Sequence, residues 1–162
     1  MKKHLILFLL TSTVLLSSCL KEQENTFIDP KVQLAKDEEV IKKFIADNNI
    51  PALRHESGLY YQIIQPGSGN HVYNANSNLS VNYVGKLLNG SKFDSSKPNE
   101  QFKFLLGDRI IVGWQIGIQL IQKSGKIRLL IPSGYAYGPQ GSGGVIPANA
   151  VLDFEIEIID LK

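Results

Sequence analysis

Two stretches of this sequence hold more unusual side chains than a connection between secondary-structure elements requires. One is Phe93-Asp94-Ser95-Ser96. The other opens on Tyr135-Ala136-Tyr137-Gly138, passes through Gly141-Ser142-Gly143-Gly144 and closes on Val145-Ile146-Pro147. A long loop that begins with two tyrosines and ends in Val-Ile-Pro sets large apolar side chains where solvent would otherwise be, which marks it as functional. Asp94 ahead of two serines is, taken alone, an ordinary turn former. Other kinds of reactive chemistry are missing from the sequence. There is no Gly-Lys-Ser/Thr phosphate loop and no dinucleotide fingerprint, and Gly67-Ser68-Gly69 is too short for a nucleophile elbow. His4, His55 and His71 have no metal or triad spacing. Neither a metal nor another cofactor is implied.

Cys19 is the only cysteine in 162 residues, which excludes an internal disulfide and a cysteine-rich zinc site. Its surroundings give it a different meaning. Met1-Lys2-Lys3-His4 is followed by an apolar run from Leu5 to Leu16, broken only by Thr11, Ser12 and Thr13, and then by the small residues Ser17 and Ser18. A basic start, a short apolar stretch and small residues make a signal peptide. The stretch is shorter than the roughly 20 residues a membrane span needs. Leu16-Ser17-Ser18-Cys19 resembles a bacterial lipobox, which implies a signal over residues 1–18, cleavage before Cys19, and acylation of its thiol and new amine. Several acyl chains, at about 0.8 kcal/mol per buried methylene, hold a protein stably on a membrane. The expected location is outside the cytoplasm, lipid-anchored to the bacterial envelope at the outer membrane, on its periplasmic or surface side. Lys21-Glu22 resembles a surface-sorting signal over two residues only.

The formal charge of +2, from 17 Lys+Arg against 15 Asp+Glu, together with the absence of a long basic run, gives no reason to expect a nucleic-acid partner. Lys2 and Lys3 supply that excess, so the chain without its signal is formally neutral. Residues 19–54 read as an acylated cysteine, a polar tether and an amphipathic helix. Asp29 and Pro30 are an N-cap and a first helical position. Val40, Ile41, Phe44 and Ile45 then form an apolar stripe opposite Asp37, Glu38, Lys42, Lys43 and Asp47, and Asn48-Asn49 with Pro51 ends the helix. Such a stripe either packs on the following domain or serves as a dimerisation arm, and the packing reading is favoured.

Residues 55–162 form one domain with short β-rich runs: Leu59–Ile64, Leu79–Leu88, Phe102–Leu106, Lys126–Ile131 and Val151–Ile159. Asn89-Gly90 is a hairpin signal. The last run alternates apolar and acidic residues, which predicts an antiparallel sheet with one buried face. Trp114–Ile121 is the one later stretch that reads as helical. The expectation is an α+β fold, a five-stranded antiparallel sheet wrapped on a short helix.

Val81-Asn82-Tyr83-Val84-Gly85, Gly90–Ser96, Phe102–Gly107, Ile111-Val112-Gly113-Trp114, Tyr135–Gly138 and Ile146-Pro147 fall in an order that closely resembles the FK506-binding-protein (FKBP) type of peptidyl-prolyl isomerase over residues 57–162. The resemblance implies a binding pocket with Trp114 as floor and Tyr83, Phe93, Phe104 and Phe154 as walls. It places Phe102, Ile110 and Ile111 on one rim, and Tyr137, Val145 and Ile146 on the other, with Ala136 beside them. Asp94 is implied as the one charged group within, orienting Tyr83. The Ile111 N–H and Tyr137 hydroxyl are implied to contact carbonyls of the bound chain. Proline-containing polypeptides are the implied substrates and FK506- or rapamycin-type molecules the implied ligands.

The chain departs from the family pattern in places. Lys97-Pro98-Asn99-Glu100-Gln101 is short and brings no arginine to Asp94, leaving Lys97 as the available cation. Ser142 stands where a histidine or aromatic residue is common, and Val112 replaces a polar residue or proline. The implied function is a lipid-anchored isomerase assisting the folding of exported proteins. The alternative is a non-catalytic chaperone or a partner-binding lipoprotein of an envelope complex, such as gliding-motility machinery, working as a monomer or as a dimer through its N-terminal helix.

Overall fold

The computed structural model describes residues 29–162. The expected signal peptide over 1–18, Cys19 and Lys21-Glu22 lie outside the described residues. Helix α1 (Pro30–Asp47) starts as its residue types predict. The Asp29 carboxylate accepts the Lys31 N–H at 2.8 Å, and Pro30 sits where no N–H is needed. At the other end Asn48 Nδ2 donates to the Phe44 carbonyl, and Asn49 takes the left-handed conformation (φ 52°) that closes the helix.

The helix lies on the domain. Ile41 is fully buried in a cluster with Tyr60, Leu130 and Val151, and Phe44 and Ile45 pack at its margin. Three residues depart from the expected faces, Val40, Asp37 and Glu38, the last with its side chain only 13% exposed against Arg54 and Tyr60. Val40 is half exposed, whereas Asp37 is only 3% exposed. The helix is rotated so that Asp37 can meet hydrogen-bond donors from a distant loop, a requirement that local periodicity does not encode.

The strands are β1 (Leu53–Arg54), β2 (Tyr60–Gln65), β3 (Asn78–Leu87), β4 (Lys92–Ser95), β5 (Phe102–Leu105), β6 (Lys126–Ile131) and β7 (Leu152–Leu161). They form one antiparallel sheet in the order β1-β2-β6-β7-β3-β4, with β5 also on β3. All five expected strands are present. The sheet gains two more, the two-residue β1 and the four-residue β4 that follows the Asn89-Gly90 turn. β5 and β4 pair successive parts of the same edge of β3, at Asn78–Val81 and at Val84–Lys86. The ten-residue β3 is therefore covered on one side by β7 and on the other by two short pieces with a loop between them.

Helix α2 (Val112–Gly117) begins two residues earlier than expected and tightens into a 3₁₀ turn over Ile118–Leu120. Two glycines allow it to lie directly on β6. A Cβ at Gly117 would stand 2.5 Å from Leu129 Cδ1, and one at Gly113 would run into Ile131. Trp114 and Ile118 from this segment join Leu79, Val81, Leu129, Leu152, Ile156 and Ile158 in the main core. The close approach at Gly113 and Gly117 sets the height of the Trp114 ring above the sheet.

Candidate functional site

Strands β3 and β7 are neighbours, and Gly85 is the residue of β3 opposite both Phe154 on β7 and Asp94 on β4. A side chain there would collide with both flanking rings: a Cβ would lie 2.6 Å from Phe154 Cε1 and 2.7 Å from Phe93 Cζ. Glycine lets the two phenyl rings cross the strand in edge-to-face contact at 5.4 Å. Aromatic pairing continues from there. Trp114 meets Phe154 at 5.3 Å and Tyr83 at 5.1 Å, both edge to face, and Phe102 stacks on Phe104 at 5.3 Å. Three of these contacts place ring edges on ring faces and the fourth is a stack, and both arrangements suit the quadrupoles beyond the area buried.

Above this cluster is a cavity of about 220 Å³ lined by Tyr83, Asp94, Phe102, Arg109, Ile110, Ile111, Trp114, Tyr137 and Phe154. The structure thus brings together eight of the residues expected at the site. Phe93 packs edge to face on Phe154 and is not among the residues lining this cavity. Phe104 is buried beneath Phe102 and belongs to the core. Ile146 is also buried, Ala136 packs against the core, and Val145 projects into solvent with 61% exposure. Arg109 is a cavity residue that sequence reasoning missed. Its only signal is its place beside Ile110-Ile111.

Asp94 provides the cavity's carboxylate. Its Oδ2 accepts from the Tyr83 hydroxyl at 2.8 Å, and its Oδ1 accepts the Ser95 N–H at 2.8 Å. Lys97, the cation expected to substitute for an arginine, pairs with Glu100 instead at 3.1 Å. Its own short turn brings that carboxylate nearer than Asp94. Burial, reinforced by the hydrogen bond to Asp94, pushes the Tyr83 phenol well above its ordinary range. Burial and then the Asp94 charge push Tyr137 in the same direction. Both hydroxyls therefore remain protonated donors. The Trp114 Nε1–H is buried with no partner among the described residues, which fits a ring placed for its face and shape.

A second, larger groove of about 540 Å³ shares Tyr83, Asp94 and Phe102 and runs between β4 and β5 past Ser95, Ser96, Lys97, Glu100, Gln101 and Lys103. Its walls carry mostly polar and charged side chains and suit an extended chain, whereas the smaller cavity is walled mainly by rings and isoleucines and suits a compact apolar ring.

A cavity of this kind on an antiparallel sheet wrapped around a short helix defines a class of apolar-ligand binding domain. Comparison with known proteins carries that class to a family. Residues 69–159 match the family model of the FKBP-type peptidyl-prolyl cis-trans isomerases, and the chain belongs to that family. It is 38% identical over 129 residues to the FKBP-type peptidyl-prolyl cis-trans isomerase FkpA of Escherichia coli, covering 79% of this chain and 46% of that protein. It is 43% identical over 107 residues to FkpA of Buchnera aphidicola, covering 65% of this chain and 42% of that one. The chain thus spans about half the length of these bacterial relatives. FK506-binding protein 1 of Rhizopus delemar is 40% identical over 107 residues and is covered over 99% of its length. The crystal structure of FkpA from Escherichia coli superposes with a TM-score of 0.68 at 36% identity, over 79% of this chain and 58% of that one. A peptidyl-prolyl cis-trans isomerase from Pseudomonas syringae gives 0.66 at 32% identity, over 85% and 98%.

Proposed function

We propose that this protein is a peptidyl-prolyl cis-trans isomerase that acts on exported, proline-containing polypeptides from a lipid anchor at Cys19. The observation that carries the catalytic part is the aromatic cavity around Tyr83, Trp114 and Phe154 with a single hydrogen-bonded carboxylate at its edge. Rotation about an X–Pro bond is slow because amide resonance opposes twisting, with a barrier of about 18–20 kcal/mol. No covalent bond need break. In the twisted state resonance is lost and charge returns from the carbonyl to the nitrogen, so the amide becomes less polar. A dry cavity lined by rings favours that state over the planar ones.

Each wall has a role in this reading. Trp114, Phe154 and Phe102 enclose the proline ring. Asp94 holds the Tyr83 hydroxyl in place and takes no part as acid or base. Tyr137 donates from the loop side to a carbonyl of the bound chain. The polar groove past Ser95 and Lys103 receives residues flanking the proline. The appended helix, the feature that favours a purely partner-binding role, is accounted for by its packing on the domain through Ile41.

The deciding assay follows cis-to-trans conversion of a proline tetrapeptide by residues 20–162, with and without FK506. Activity that is lost in Asp94→Ala or Phe93→Ala supports the proposal; an inactive protein defeats it. For the anchor, Cys19→Ala is expected to release the protein from the membrane fraction or leave it unprocessed. A variant that is still acylated and membrane-bound would overturn that part.

A further inference from the structure

Asp37 is an acidic side chain buried at 3% exposure, and three hydrogen-bond donors meet its carboxylate, with no cation on it among the described residues. Its Oδ2 accepts the Ser133 N–H at 2.7 Å and the Ser133 hydroxyl at 2.6 Å, and its Oδ1 accepts from Gln33 Nε2 at 2.7 Å. A buried carboxylate is tolerated only when its lone pairs are met this fully, and hydrogen bonds to a charged acceptor are the stronger kind. Ser133 opens the 3₁₀ turn Ser133–Tyr135, whose last residue lies two positions before Tyr137 on the cavity rim. The same turn is held a second time, where the Tyr135 hydroxyl donates to the Ser57 carbonyl at 2.8 Å. Both anchors, Asp37 and Ser57, precede residue 69, where the match to the family model begins.

We infer that Asp37 is a positioning residue for the isomerase site, through which helix α1 fixes the loop that presents Tyr137. This inference rests on the isomerase reading of the cavity. The carboxylate sits on the first N–H of a turn too short to order itself, and fixes its start. With Ser133 and Tyr135 both tied down, the backbone reaching Tyr137 has little freedom. A misplacement of about 1 Å at a substrate-binding group can cost up to about a hundredfold in rate.

The test compares Asp37→Ala, Asp37→Asn and Ile158→Val in the chain from residue 20, at a temperature where all are folded. The alanine variant removes both bonds to Ser133 and is expected to lose about tenfold in kcat/KM. Amide exchange at Tyr135 and Ala136 is expected to rise with it. Asparagine keeps one oxygen for Ser133, while its NH2 meets the Gln33 amide oxygen after a flip, so near-complete rescue is expected. Ile158→Val weakens the core away from the loop and is expected to leave kcat/KM and loop exchange unchanged. The inference is overturned if Asp37→Ala keeps wild-type kcat/KM and exchange, or if Ile158→Val produces the same loss. An inactive wild-type chain defeats the isomerase reading instead, and loop exchange then still decides whether Asp37 orders the turn.

Discussion

The cavity has two halves built in different ways. Tyr83 and Phe154 stand on adjacent strands and Trp114 on a helix pressed onto the sheet by Gly113 and Gly117. Ile110 and Ile111 precede α2, and Tyr137 sits on a segment without regular structure between two 3₁₀ turns. The first half is fixed by ladder hydrogen bonds and core packing, so its geometry is as stable as the fold. The second is held by a few discrete side-chain bonds, so single substitutions can loosen it without unfolding the sheet. In the isomerase reading proposed above, the first half would hold the proline ring and the second would meet the residues beside it.

The sharpest way to break the comparison is Trp114→Ala. Removing a buried indole from the sheet-built half is expected to cost about 3–5 kcal/mol of stability in denaturant unfolding, together with isomerase activity. Gly85→Ala comes next, at about 1–3 kcal/mol, because the methyl overpacks against Phe93 and Phe154; ring resonances of both phenylalanines should shift. Tyr83→Phe is expected to keep the fold and lose about 1 kcal/mol, the usual net worth of one hydrogen bond, with a drop in kcat/KM. Since the Tyr83 and Tyr137 phenols are both raised, the wild-type rate is expected to stay flat up to pH 10, where an ordinary tyrosine is half ionised.

Two smaller effects probe the loop half and its support. Glu38 on α1 takes a two-point contact from Arg54 at 2.7 and 2.9 Å and a third bond from the Tyr60 hydroxyl at 3.2 Å. The Arg54 hydrogen bond lowers the Glu38 carboxyl below its ordinary 4.5 despite partial burial. A lowered carboxylate stabilises the fold above its unfolded value, and that gain fades as pH falls through the folded one. Glu38→Gln is therefore expected to melt lower than wild type at pH 7, with the gap closing below about pH 4.5. Val145→Ala, at an exposed rim position, is expected to change stability by less than about 0.5 kcal/mol and to alter only KM for substrates with bulky flanking residues.

Most of the sheet could be read from local pattern, because alternation and the Asn89-Gly90 turn are short-range signals. Strand β4 could not, since Lys92-Phe93-Asp94-Ser95 has one apolar residue, too few for its alternation to be read from sequence, and it pairs along β3. The aromatic residues were legible as a set through their order along the chain. Which of them face the cavity was not: Phe102 lines it and Phe104, two residues on, is buried beneath it. Asp37 was the least legible, because its partner Ser133 is 96 residues away and every local cue places an acidic residue on the wet face.

Trp114 is the chain's one tryptophan, and it forms the floor of the cavity at 4% exposure. The intrinsic emission of the protein at tryptophan wavelengths therefore arises at a single point, and that point is the one a ligand would touch. Occupancy of the site should be readable as a change in colour or intensity of the unlabelled protein, without substrate turnover and without a reporter group.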